Sequence, residues 1–279
     1  MLLRSLLFAP ANRLDFVPNL AGSGADGVVL DLEDGVRQED KAAARPLARQ
    51  SAAELVRSAP DTAVFVRVNG TDSGHFVDDL AVLDAAIAGV LVPKLESGDQ
   101  ATYVVDELAR LGLGGLKVIG GLETARGVAA AREVARAGMA GVYFGAEDFI
   151  ADMGGMRTES NHEVLYARSE VALGARLAGV FALDQVVVDI RDLDRLRRES
   201  LEARALSYMG KLCVHPAQVP VVNEAFSPSD EELERSRRLV DAYAAALGDR
   251  RGVIEFEGHM IDRPLVRRAE ALLAQRRSS

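Results

Sequence analysis

Residues 117–148 read KVIGGLETARGVAAAREVARAGMAGVYFGAED. Two runs in this stretch, 117–124 and 141–148, are mostly apolar, and both close on acids: Glu123 in the first, Glu147 and Asp148 in the second. Between them, 127–137 is rich in Ala, Val, Arg and Glu and has a helical period. A strand buried on both faces reads as an unbroken apolar run, which is the pattern of a parallel sheet covered by helices.

Six more runs of the same kind lie outside this unit, at 3–9, 27–34, 63–69, 89–95, 184–190 and 210–216. Helical segments separate them, among them 41–57 and 193–206. Strand alternating with helix argues for an α/β fold. Eight such units in 279 residues match a (β/α)8 barrel, which usually takes about 250. An open, doubly wound sheet is the alternative. The pattern changes after residue 226. Ser229 and Glu232 form a capping box for a helix running to Leu247, with Gly248 as its stop. A short run 253–256, a turn at Glu257-Gly258 and a helix opening near Pro264 follow. Residues 276–279 are expected to fray. The expected organisation is a catalytic TIM barrel over 1–226 and a C-terminal helix with a lid or oligomerisation segment over 227–279.

With 48% hydrophobic residues the chain can fill one large core. A net charge of -9 argues against a nucleic-acid partner, because phosphate binding needs surplus Lys and Arg. One cysteine excludes an internal disulfide framework. The apolar start is broken by Arg4, and no run approaches the roughly 20 residues of a membrane helix. The expected location is cytoplasmic.

In barrels the active site is built at the C-terminal ends of the strands. Polar residues gather there: Asn12 and Arg13 after the first run, then Asp31, Glu33 and Asp34, Arg67 and Asn69, Lys94 and Glu96, Glu123 and Thr124, Glu147 and Asp148, Asp189, and His215. One such acid alone is an ordinary helix cap. So many carboxylates around one mouth repel each other unless cations or protons intervene. A hard divalent cation such as Mg²⁺, which takes one or two carboxylates plus water and substrate oxygens, is the simplest remedy. Zinc fits poorly, because His75, His162, His215 and His259 show no paired spacing. A phosphate-binding loop is not expected at Gly112–Gly115, which precedes a strand instead of following one. Cys213 reads as packing and His215 as a turn anchor, while Lys94 reads equally as a substrate contact or an acid's partner.

LLFAPANR at 6–13, LDLEDGV at 30–36, RVN at 67–69, VPK at 92–94, LETA at 122–125, FGAEDF at 144–149 and LCVHP at 212–216 together resemble the citrate lyase β-subunit-like family of citryl-, malyl- and citramalyl-CoA lyases, within the HpcH/HpaI aldolase superfamily. The matches occur in order, each on a predicted strand end. The resemblance implies a Mg²⁺-dependent lyase on a barrel, with Glu123 and Asp148 as metal ligands. Arg67 would clamp the substrate carboxylate, and backbone N–H groups at Ala146, Glu147 and Asp148 would bind the same small acid. Glu33 and Asp34 would stand behind the metal, holding its waters. MIDRP at 260–264 is similar to the family's lid segment, which makes Asp262 the candidate general base. In relatives that lid reaches a neighbouring subunit, so a homotrimer or a multiple of one is implied. Many relatives place lysines after the first strand for CoA phosphates. Here Asp15, Pro18 and Asn19 occupy that region and Arg13 is the remaining basic residue.

The implied reaction is reversible aldol- or Claisen-type cleavage of a 3-hydroxyacyl thioester to an acyl-CoA and a small 2-oxo acid: oxaloacetate, glyoxylate or pyruvate. The alternatives are a malate- or citramalate-synthase-like enzyme that also hydrolyses the thioester, and a citrate lyase β subunit active only with an acyl-carrier partner.

Overall fold

A computed structural model describes residues 2–248 and 252–275; the fraying expected at 276–279 lies outside them. Eight parallel strands follow chain order around a closed barrel: β1 Ser5–Pro10, β2 Gly27–Asp31, β3 Ala63–Arg67, β4 Gly89–Val92, β5 Lys117–Leu122, β6 Gly141–Phe144, β7 Phe181–Asp184 and β8 Gly210–Cys213. Pairing of β1 with β8 closes the ring and removes both sheet edges. The fold is the expected (β/α)8 barrel.

The two-residue pleat decides what points where. One residue from each strand (Leu6, Val29, Phe65, Leu91, Ile119, Tyr143, Leu183 and Leu212) joins a buried cluster that fills the barrel interior. Their neighbours in sequence, such as Leu7, Val28, Val64, Val90, Val118 and Val142, belong to a larger cluster shared with helical residues such as Ala48, Leu55, Leu108 and Val171. Both faces of each strand are therefore apolar, which explains the unbroken runs. Two residues beyond Val29 and Phe65 on the interior face come Asp31 and Arg67. Two beyond Ile119 comes Gly121, and two further Glu123. The same alternation that packs the core carries these charges to the mouth.

The strands end sooner than the apolar runs. The run 141–148 breaks at Gly145, and Ala146–Met153 is already helix. Glu147 and Asp148 thus sit in a helix's first turn, where its dipole favours acids, and not on a strand end. The segment 127–137 is two short helices, Ala125–Ala129 and Ala131–Arg136, meeting at Ala130.

The seventh strand corrects the sequence reading most. It was expected at 184–190 and lies at Phe181–Asp184. The β-branched triplet 186–188 outside it is a loop in which Val188 is 59% exposed. Asp184 is fully buried and pairs with Lys211 Nζ at 2.5 Å and Arg168 Nε at 3.0 Å. That network fixes the register of Asp184 against Lys211, and strand pairing stops there. Asp189 is exposed and accepts from the N–H of Arg191 at 3.0 Å.

The chain divides into two compact units, Leu3–Phe226 and the segment from Ser227 onward. In the second, Ser229 and Glu232 form the expected reciprocal capping box, with bonds of 2.8 and 3.1 Å, for helix Asp230–Gly248. An antiparallel hairpin follows, β9 Ile254–Phe256 and β10 His259–Ile261. Its turn residues Glu257 and Gly258 both have positive φ, as a tight two-residue hairpin requires. Helix Arg263–Gln275 closes the unit, and Leu239, Tyr243, Ile261, Val266 and Ala269 form its core. No described helix is long and apolar enough to cross a membrane.

Candidate active site

Asp31 and Arg67 are register partners on β2 and β3. The guanidinium meets the carboxylate in two parallel bonds, Nε to Oδ1 and Nη2 to Oδ2, both 2.7 Å. Its third nitrogen, Nη1, lies 3.0 Å from Glu33 Oε2. The guanidinium carbon sits 5.1 Å from the centre of the Phe8 ring. Burial works against the Arg67 charge, but Asp31 outweighs it and the net shift is upward, so the group stays cationic. The two-pronged face expected to grip a substrate carboxylate is therefore already held by Asp31, because strand register sets the two side by side. Nη1 is the part of the fork not engaged by Asp31. Replacing Arg67 with Met would strand the buried Asp31 carboxylate. Chemical denaturation should report a loss of roughly 3–5 kcal/mol, partly recovered when Asp31→Asn is added; a change below about 0.5 kcal/mol would mean the pair is not structural.

Glu123 follows β5 and is 2% exposed. Its Oε1 accepts from the Lys94 backbone N–H at 2.9 Å and from the Tyr143 hydroxyl at 3.2 Å. Two glycines make room for this arrangement. A Cβ at Gly121 would collide with the Tyr143 hydroxyl, and a Cβ at Gly145 would collide with Glu123 Oε2. Burial pushes the Glu123 carboxyl up to about 8; the charges of Glu33 and Asp148 add to this, while Arg67 and Lys94 oppose it. Burial and Glu123 hold the Tyr143 hydroxyl well above its ordinary range, so it remains a donor.

Lys94 ties the mouth together. Its Nζ lies 2.7 Å from Glu33 Oε1, 3.4 Å from Asp148 Oδ1 and 3.9 Å from Asp34 Oδ2. Glu33 and Asp148 thus come from β2's end and the helix after β6 to one ammonium. Burial of Glu33 raises its carboxyl, against the lowering effect of Arg67 and Lys94. Its Oε2 is buried and has no aligned hydrogen bond, although Arg67 Nη1 is near.

Five carboxylates here (Asp31, Glu33, Asp34, Glu123 and Asp148) face three cations, Arg67, Lys94 and Lys41, the last donating to the Leu32 and Glu33 carbonyls at 2.9 and 2.8 Å. That deficit, the raised Glu123 carboxyl and an all-oxygen donor set fit a hard divalent cation. Glu123 and Asp148, both in contact with Lys94, could hold it. Among the described residues no group of three or more His, Cys, Asp or Glu is placed to ligate a metal. A site with two carboxylates would need water and substrate oxygens to complete it.

The N–H groups of Ala146, Glu147 and Asp148 open helix Ala146–Met153, ahead of its first main-chain bond from Phe149 to Gly145. The Glu147 side chain points its charge elsewhere, to Arg157 at 3.0 Å. Beside Glu33, Asp34 and Lys94 opens a cleft of about 500 Å³, lined also by Gln38, Asn69 and Ser73. Arg13 is exposed and paired with Asp15 at 2.6 and 2.8 Å, so much of its charge is already answered. His215 accepts from the Ala217 N–H through Nδ1 at 3.1 Å and caps its own turn. Cys213 is fully buried, and burial pushes its thiol up to about 12, which leaves it inert. Asp262, in the second unit, directly precedes helix Arg263–Gln275 and is partly exposed. Its carboxylate makes no hydrogen bond among the described residues, so it does not cap that helix through its side chain.

Sequence reasoning assigned no role to Asp31 or Tyr143. Asp31 looked like one more strand-end acid, and only register shows it facing Arg67. Tyr143 stands inside an apolar run, and only register shows it opposite Gly121.

Residues 4–216 match the family HpcH/HpaI aldolase/citrate lyase. The chain is 50% identical over 275 residues to a citrate lyase subunit beta-like protein of Deinococcus radiodurans, covering 98% of this chain and 97% of that one. It superposes with a TM-score of 0.82 and 35% identity on CitE of Mycobacterium tuberculosis in complex with magnesium, acetoacetate and coenzyme A, across 98% of both chains. Another solved structure, the citrate lyase beta subunit of M. tuberculosis with oxaloacetate and magnesium, gives 0.69 and 35%, covering 81% of this chain and 98% of that one. The chain belongs to the HpcH/HpaI aldolase/citrate lyase family of carbon–carbon lyases.

Proposed function

We propose that this protein is a Mg²⁺-dependent lyase that cleaves a 3-hydroxyacyl-CoA of the citryl, malyl or citramalyl type to an acyl-CoA and a small 2-oxo acid, with Glu123 and Asp148 as the metal ligands. The observation that carries the reading is that one residue spans both acids: Lys94 meets Glu123 through its backbone N–H at 2.9 Å and Asp148 through its ammonium at 3.4 Å. Support also comes from the magnesium, oxaloacetate and coenzyme A bound by the M. tuberculosis relatives.

A bound Mg²⁺ supplies Lewis acidity for the oxygen of the oxo acid. The chain's own residues do the rest. Tyr143 and the Lys94 N–H hold Glu123 through Oε1, so that its carboxylate would be oriented to hold the ion. Arg67 Nη1 and the N–H groups of Ala146, Glu147 and Asp148 receive the oxo-acid carboxylate. Glu33 and Asp34 would hold water around the ion. Asp262, brought by the C-terminal segment of a neighbouring subunit in a homotrimer or a multiple of one, would handle the proton on the acyl carbon. In cleavage the hydroxyl proton would pass to solvent water as the C–O bond becomes C=O, the carbon–carbon bond would break with its electron pair going to the thioester's α-carbon, and protonated Asp262 would give that carbon a proton. Synthesis runs the same steps backwards.

Citryl-, malyl- and citramalyl-CoA should be assayed with Mg²⁺ and with EDTA. The expected result is Mg²⁺-dependent release of oxo acid and acyl-CoA in equal amounts, with no free thiol. Free CoA thiol would instead mean thioester hydrolysis, and turnover confined to a carrier-protein thioester would mean a subunit of a larger complex. Turnover undiminished in EDTA would overturn the metal.

A further inference from the structure

The ammonium of Lys94 occupies the mouth where the carboxylate charge is most concentrated. It contacts Glu33, Asp34 and Asp148 at 2.7, 3.9 and 3.4 Å. Its backbone is in the left-handed region, with φ of 53°. That conformation is costly for a residue with a side chain and persists where surrounding contacts demand it. The contacts that demand it here are the N–H bond to Glu123 and the ammonium bridge from Glu33 to Asp148. Backbone and side chain of one residue thus address both proposed metal ligands. A flexible four-carbon stem lets the ammonium move while the backbone stays in place.

We propose that Lys94 is a built-in counter-cation that competes with Mg²⁺ for Asp148 and thereby sets the affinity of the site. Without the ion, the ammonium neutralises Glu33 and Asp148 and keeps the acidic mouth from repelling itself apart. With the ion, the ammonium yields Asp148 and keeps Glu33 and Asp34. The backbone N–H continues to orient Glu123 in both states. Lys94 is a positioning residue in this account, since it acts through the carboxylates. The two unequal distances, short to Glu33 and longer to Asp148, suit a group that can let go of one partner and keep the other.

The inference rests on Glu123 and Asp148 being the metal site, and the test separates the two ideas. MgCl₂ is titrated calorimetrically into the metal-stripped full chain as wild type, Lys94→Met and Lys94→Arg, and melting temperatures are recorded in EDTA and in Mg²⁺. Removing one positive charge a few ångströms from the ion should tighten Mg²⁺ binding by roughly tenfold in Lys94→Met. The same variant should melt lower than wild type in EDTA and regain the difference in Mg²⁺. Lys94→Arg keeps the charge and should bind within about threefold of wild type. A Lys94→Met protein that folds only when Mg²⁺ is present supports the proposal; should it fold in neither buffer, Lys94→Gln is measured in its place against the same expectations. Wild-type affinity in the uncharged variant, or weaker binding, overturns the role of Lys94 while leaving the metal site standing. Absence of Mg²⁺ binding by the wild type overturns both.

Discussion

Glu123→Gln should lose measurable Mg²⁺ binding and fall by at least about 10³ in turnover while remaining folded. The amide has the shape of the carboxyl and keeps a carbonyl oxygen for the Lys94 N–H and the Tyr143 hydroxyl. What disappears is the negative charge, which a hard cation requires. The pH behaviour should change with it. Because burial raises the Glu123 carboxyl to about 8, a proton must leave before the ion can bind. Wild-type Mg²⁺ affinity should therefore climb by up to about tenfold per pH unit below 8 and level off above it. Stability without metal runs the other way. Between about 4.5 and 8 the folded chain keeps a proton that the unfolded chain has released, so stability falls as pH rises through that window. Glu123→Gln should flatten this slope and be the more stable protein at pH 9 in EDTA. Urea titrations at pH 5 and 9 measure it; parallel slopes in the two proteins would show that Glu123 is not the group responsible.

Asp262→Asn should cost roughly 10²–10⁴ in rate, the usual contribution of a positioned acid or base, and leave oxo-acid binding nearly intact. Its stability should stay within about 0.5 kcal/mol of wild type. The structural reason is local: the carboxylate makes no hydrogen bond among the described residues, and Asn is as well accepted as Asp ahead of a helix. A variant with full turnover would remove Asp262 from the chemistry. A variant that binds the oxo acid poorly would move its role from proton transfer to substrate placement.

The barrel was legible because its strands are buried on both faces and so stand out as apolar runs. The candidate site was legible for a related reason. Runs that end in Glu33, Arg67, Lys94 and Glu123 must deliver those groups to one rim once the sheet closes. Position along the chain does not encode pairing. Nothing in RVN or LDLED says that Arg67 will spend its fork on Asp31; strand register decides that. The seventh strand was misplaced because 186–188 has the better β composition, whereas the actual strand ends at Asp184, whose buried partners Arg168 and Lys211 lie far away in sequence. Glu147 and Asp148 looked like strand ends because FGAED is read without knowing that Gly145 breaks the sheet. Asp262 carries no physical signal of its own at the sequence level, and its assignment rests on the resemblance of MIDRP to the family's lid.

Crystals grown or soaked with Mn²⁺ in place of Mg²⁺ would locate the ion by its anomalous scattering. With Glu123 and Asp148 as the ligands, a single strong peak is expected in the barrel mouth within roughly 2.0–2.3 Å of a carboxylate oxygen from each of them. A peak elsewhere, or none while the Lys94 ammonium still bridges Glu33 and Asp148, would contradict that assignment.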